Sequence, residues 1–154
     1  MNPVLWQIGP LKIYAYGFFL AAAFAAGTYL TAKIAKEHGI AVDFILDLAL
    51  AVCAAALIGA RIGFVLLEWP YYRLHPVEIL LVSEGGLSFH GGLILGVIVG
   101  VWFCRRRKCN PWQMADIVAP AVPLGTAIAR IGCLLNGCCY GYVTDLPIGL
   151  PAAL

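Results

Sequence analysis

Residues 13–32 read Ile-Tyr-Ala-Tyr-Gly-Phe-Phe-Leu-Ala-Ala-Ala-Phe-Ala-Ala-Gly-Thr-Tyr-Leu-Thr-Ala, a run without a single charge. One helix needs ~20 such residues to cross the hydrocarbon core of a bilayer. Lipid offers no partner to an open strand edge, so the run is expected to be helical. Three further runs follow. Residues 44–67 carry Asp47 near the start and Arg61 near the end. Residues 85–104 hold His90 as the only titratable group besides the terminal Cys104, and residues 117–139 hold a lone Arg130. The expected fold is an all-α, polytopic transmembrane helix bundle of about four spans, in a single membrane domain over residues 1–154.

Composition supports the membrane reading without any motif. The chain is 62% hydrophobic and 12% charged, with a mean hydropathy of +0.90, whereas soluble domains are about one quarter charged. A soluble fold of 154 residues has too much surface for its volume to hide so many apolar side chains. The net charge of +2 is too small to point to a nucleic-acid partner. Small residues recur at helix-contact spacing, as Gly59-x-x-x-Gly63 and Gly92-x-x-x-Gly96-x-x-x-Gly100, and let backbones approach closely.

Placement of the basic residues sets an expected orientation. Lys33 and Lys36 follow the first run and Arg105 to Lys108 the third, so these cations share one side. Only Lys12 and Arg73 lie outside the spans on the other. Excess Lys and Arg mark the cytoplasmic side, which puts the amino terminus outside. Trp6, Trp69, Tyr71 and Tyr72 then fall at the outer ends, where an aromatic belt is expected. The small-residue stretch Ala21–Ala26 suits a cleaved signal peptide, but Lys12 is the only side-chain charge ahead of it, so an uncut helix is the preferred reading.

The six cysteines do not suggest a metal. None is paired at C-x-x-C spacing, and no histidine stands near Cys133, Cys138 and Cys139. Buried small hydrophobes are the expected role, and neither metal nor cofactor is expected.

At ~1.5 Å of rise per residue, Arg61 lies ~27 Å up from Asp43 at the inner boundary. Tyr16, His90, Arg130 and Asn136 also fall toward the outer end of their spans. An arginine near a span centre costs ~2.5–3.5 kcal/mol on insertion scales, so a partner or a role is expected for each. Arg61 suits an interhelix ion pair, snorkelling to the headgroups, or a ligand. Arg130 opens Arg-Ile-Gly-Cys-Leu-Leu-Asn-Gly-Cys-Cys-Tyr-Gly, where a guanidinium can take a phosphate through paired hydrogen bonds. His90 lies between the pairs Gly85-Gly86 and Gly91-Gly92. It suits either a hydrogen-bonded packing role or a general base near neutral pH.

The stretch Gly85-Gly86-Leu87-Ser88-Phe89-His90-Gly91-Gly92-Leu93 resembles the histidine motif of the prolipoprotein diacylglyceryl transferases. Arg130-Ile131-Gly132 through Asn136-Gly137 to Tyr140-Gly141 resembles their signature segment. Tyr16-Gly17 and Gly59-Ala60-Arg61-Ile62-Gly63 are similar to two further family stretches, in the same order. The resemblance implies transfer of a diacylglyceryl group from phosphatidylglycerol to the lipobox cysteine of a prolipoprotein signal peptide, in a bacterial inner membrane, with the site toward the outer leaflet. It implies Arg130 as headgroup ligand, with Arg61, Asn136 and Gly141 on the substrate-binding side, and His90 and Tyr16 as catalytic residues. Two departures accompany it. Cys133 and Cys138 stand where many members have asparagine and glutamate, so no role passes to them. The family also continues beyond the segment matched here, so residues 1–154 are expected to form the N-terminal part of a larger fold, binding lipid without catalysing alone. A half-transporter or channel subunit, with His90 at a broken helix, is the alternative of a different class.

Overall fold

A computed structural model describes residues 4–8, 11–80 and 86–137. Helices dominate, as expected, and a short antiparallel hairpin precedes them: β1 (Val4–Ile8) pairs with β2 (Leu11–Tyr14), Ile8 opposite Leu11. The first helix therefore starts later than the apolar run does. It spans Ala15–Glu37 (α1), because residues 11–14 belong to the hairpin. After it come α2 (Val42–Leu67), the single turn α3 (Trp69–Tyr72), a 3-10 turn (Pro76–Leu80), α4 (Phe89–Arg106), α5 (Pro111–Val118) and α6 (Ala121–Asn136). Helices α1, α2 and α4 are long and apolar enough to cross a membrane. A fourth span exists if the bent pair α5 and α6 counts as one.

The expected fourth span, 117–139, is thus not one straight helix. Pro120 interrupts it between α5 and α6, since proline has no N–H to give and its ring clashes with the preceding turn. Asn110 opens α5 as an N-cap, its Oδ1 accepting from the Trp112 N–H at 3.0 Å, with Pro111 at the first position where a missing N–H costs nothing. Gly137, at φ 69°, closes α6 with its N–H on the Cys133 and Leu134 carbonyls. The left-handed conformation of that cap favours glycine.

The chain falls into two compact units, Met1–Ile34 with Val118–Leu154, and Ala35–Ile117. In the first, α1 and α6 run antiparallel through small residues. A Cβ built on Gly132 would stand 2.8 Å from the Phe19 Cβ, one on Gly125 3.8 Å from the Ala23 oxygen, and one on Gly27 3.7 Å from the Ala121 Cβ. Each step up one helix is a step down the other.

In the second unit, α2 and α4 are the antiparallel pair. At one end the Phe44 and Phe103 rings lie 5.5 Å apart, and Arg107 meets Asp47 at 3.6 Å, both well exposed. At the other end the backbones nearly touch. A Cβ on Gly59 would stand 2.5 Å from the Gly91 oxygen, and one on Gly63 2.9 Å from the Gly91 Cα. The stripe Gly59-x-x-x-Gly63 was expected from spacing. Gly91, its counterpart, is not in the Gly92-Gly96-Gly100 row, although Gly92 and Gly96 are buried beside it.

Candidate functional site

In the unit Ala35–Ile117, Arg61 is 8% exposed. Its Nε donates to the Ile79 carbonyl at 3.0 Å, Nη1 to Gly86 at 3.0 Å and Nη2 to Glu78 at 2.6 Å. The guanidinium carbon lies 5.3 Å from the centroid of the Tyr72 ring, which packs edge-on to Phe64. Charged donors make the stronger hydrogen bonds, and three carbonyls around one planar fork suit arginine alone among the cations. Tyr72 is therefore 7% exposed, whereas Trp69 and Tyr71, the neighbouring aromatics, are exposed.

The fork leads directly to the histidine motif. Gly86 has φ 77°, and a Cβ there would stand 2.7 Å from the Arg61 Nη1. Two residues on, the Ser88 N–H donates to the Ala60 carbonyl at 2.8 Å. Helix α4 starts at Phe89, so His90 sits in its first turn. The His90 ring is exposed, edge-on to Phe89 at 5.8 Å. It makes no hydrogen bond to a described residue and stays open to a proton donor. Beside this segment, Tyr71 donates to the Glu78 Oε2 at 2.8 Å, and His75 stacks on Tyr71 at 4.7 Å.

In the unit Met1–Ile34 with Val118–Leu154, α6 carries the signature segment. Arg130 is exposed and makes no ion pair or hydrogen bond to a described residue. Gly132 is buried, and a Cβ there would stand 3.5 Å from the Tyr16 Cα. The signature helix therefore lies against the first turn of α1, where Tyr16 is 42% exposed. Asn136 ends the helix, exposed, and Cys133 is half-buried. Gly141, Cys138 and Cys139 lie outside the described residues. Tyr16, Arg130 and Asn136 thus belong to one unit, Arg61 and His90 to the other. Among the described residues, no group of three His, Cys, Asp or Glu could hold a metal ion.

Sequence reading missed the grip of Arg61 on Glu78, Ile79 and Gly86. Its partners are backbone carbonyls, which leave no mark in a sequence; the paired glycines at 85 and 86 were the one available signal.

A profile of the family described as prolipoprotein diacylglyceryl transferase matches residues 3–153. The chain belongs to the prolipoprotein diacylglyceryl transferase family. Relatives named phosphatidylglycerol–prolipoprotein diacylglyceryl transferase agree with this. The Staphylococcus carnosus protein is 39% identical over 141 residues, 92% of this chain and 51% of the relative. The Fusobacterium nucleatum protein is 39% identical over 150 residues, 97% of this chain and 52% of the relative. That of Geobacter sulfurreducens is 35% identical over 153 residues, 97% of this chain and 59% of the relative. This member of the prolipoprotein diacylglyceryl transferase family spans about half the length of the relatives it matches.

Proposed function

We propose that residues 1–154 supply the headgroup-binding and proton-accepting part of a site that moves a diacylglyceryl group from phosphatidylglycerol to the lipobox cysteine of a prolipoprotein. The observation that carries the proposal is Arg130. A charged side chain on an apolar span is costly, and this one is exposed with no described partner. A lipid phosphate meets it with the bidentate geometry that a guanidinium favours.

The chemistry then runs as follows. His90 takes the thiol proton, because the thiolate is the nucleophile and a free cysteine, with a pKa of about 8.5, is mostly protonated at neutral pH. The sulfur attacks the diacylglyceryl carbon, a C–S bond forms, and the C–O bond to phosphate breaks. Glycerol phosphate leaves with the electron pair, and Arg130 stabilises the charge it gathers. By resemblance to the family, Tyr16 acts as a further catalytic residue, Asn136 and Gly141 act in substrate binding, and Arg61 has a supporting role. The site faces the outer leaflet of a bacterial inner membrane, with the amino terminus outside and both basic segments in the cytoplasm.

The test is a chimera in which residues 1–154 replace the matching part of the Staphylococcus carnosus relative. With liposomes containing phosphatidylglycerol and a lipobox peptide, mass spectrometry is expected to show a thioether-linked diacylglyceryl group and released glycerol phosphate. An equally active Arg130→Ala chimera would remove Arg130 from the mechanism.

A further inference from the structure

We propose that Arg61 is a positioning residue: its guanidinium gathers the carbonyls of Glu78, Ile79 and Gly86 and so fixes the segment that presents His90. The inference deepens the transfer reading above and rests on it for the role of His90.

The geometry assigns this work to arginine specifically. Nε, Nη1 and Nη2 each point at a different carbonyl, and the Tyr72 ring lies against the guanidinium. A fork engaged in this way is a structural clasp. The charge needed at a phosphate comes from elsewhere, on α6. The carbonyls of Glu78 and Ile79 belong to the 3-10 turn, while Gly86 belongs to the segment leading into α4. One side chain therefore joins the departure from α3 to the arrival at His90.

Two independent features point the same way. Gly86 has φ 77°, and a side chain on it would collide with the Arg61 Nη1 and the Phe64 ring. The glycine is what lets its carbonyl reach the fork. The neighbours of Arg61 on α2 hold the same segment directly. Ala60 accepts the Ser88 N–H at 2.8 Å, and a Cβ on Gly63 would stand 3.3 Å from the Ser88 Cβ. Residues 86–88 are thereby seated on α2 at consecutive points, with His90 two residues further on.

The experiment is hydrogen exchange on the 154-residue chain in nanodiscs of mixed phosphatidylglycerol and phosphatidylcholine, with phospholipid retention read by native mass spectrometry. The variants are Arg61→Ala, Arg61→Lys, Gly86→Ala and Arg130→Ala. Releasing the clasp should open residues 86–90 locally, with exchange faster by at least about ten-fold in the first three variants and unchanged in α1 and α6. Gly86→Ala keeps the arginine and serves if the Arg61 variants fail to fold. The rate of reaction with diethyl pyrocarbonate at fixed pH should change at His90 and not at His38, which a general loss of stability would not produce. Arg130→Ala should lose the preference for phosphatidylglycerol, and Arg61→Ala should keep most of it. Wild-type exchange in Arg61→Lys would overturn the clasp, as would loss of the lipid preference in Arg61→Ala equal to that in Arg130→Ala. If the wild-type chain shows no preference for phosphatidylglycerol, the transfer reading fails, and the exchange rates still decide the clasp.

Discussion

Arg130 and Arg61 carry the same charge in apolar helices, and their surroundings give them different work. Arg130 is exposed on α6, while Arg61 is buried with its donors on three carbonyls. Arg130→Lys keeps the charge and loses the fork, so phosphatidylglycerol binding should fall at least about ten-fold, or ~1.4 kcal/mol, as titration in nanodiscs would measure. His90→Asn keeps size and polarity but takes no proton at neutral pH. Turnover of the chimera should drop by ~10²–10⁴ with its affinity for phosphatidylglycerol unchanged, and full activity would remove the general-base role. Both residues were legible in the sequence, because a lone ionisable group stands out in an apolar run. The Arg61 clasp was not, because only the folded backbone brings residues 78, 79 and 86 around one side chain.

Between elements, glycine decides how closely helices approach. At Gly91 an added Cβ meets the Gly59 oxygen and the Gly63 Cα, both backbone atoms that cannot swing away. Gly91→Ala should therefore separate α2 from α4 and cost ~1–3 kcal/mol, the usual range for overpacking. Gly17→Ala meets nothing within 4 Å and should be neutral, or stabilising by up to ~1 kcal/mol through helix propensity. Reversible unfolding in mixed micelles, followed by circular dichroism, would compare the two, and equal effects would contradict the packing account. Spacing revealed the Gly59-x-x-x-Gly63 stripe, since i and i+4 share a helix face. It did not reveal the α1–α6 seam, whose contacts at Gly125 and Gly132 are seven residues apart and lie beyond the Pro120 break. The hairpin also escaped, because Leu11–Tyr14 continues straight into the apolar run and looks like its first turn.

Across the molecule, the runs of 20 or so apolar residues made the helical membrane fold legible, and motifs scattered from Tyr16 to Gly141 made the family legible. Charge placement suggests an orientation. The Asp47–Arg107 pair puts the start of α2 and the end of α4 at one end of their unit, as alternating spans require. If that end is cytoplasmic, Cys109 should react with an impermeant maleimide only after the membrane is opened, the other cysteines having been replaced by serine. Labelling in sealed cells would reverse the orientation. The central claim is that Arg130 makes this chain a holder of phosphatidylglycerol. Native mass spectrometry of the chain released from equimolar phosphatidylglycerol and phosphatidylcholine tests it most directly. The expected result is retained phosphatidylglycerol in clear excess, lost in both Arg130→Ala and Arg130→Lys. Equal retention of the two lipids by the wild-type chain, or an undiminished excess in Arg130→Lys, would contradict it.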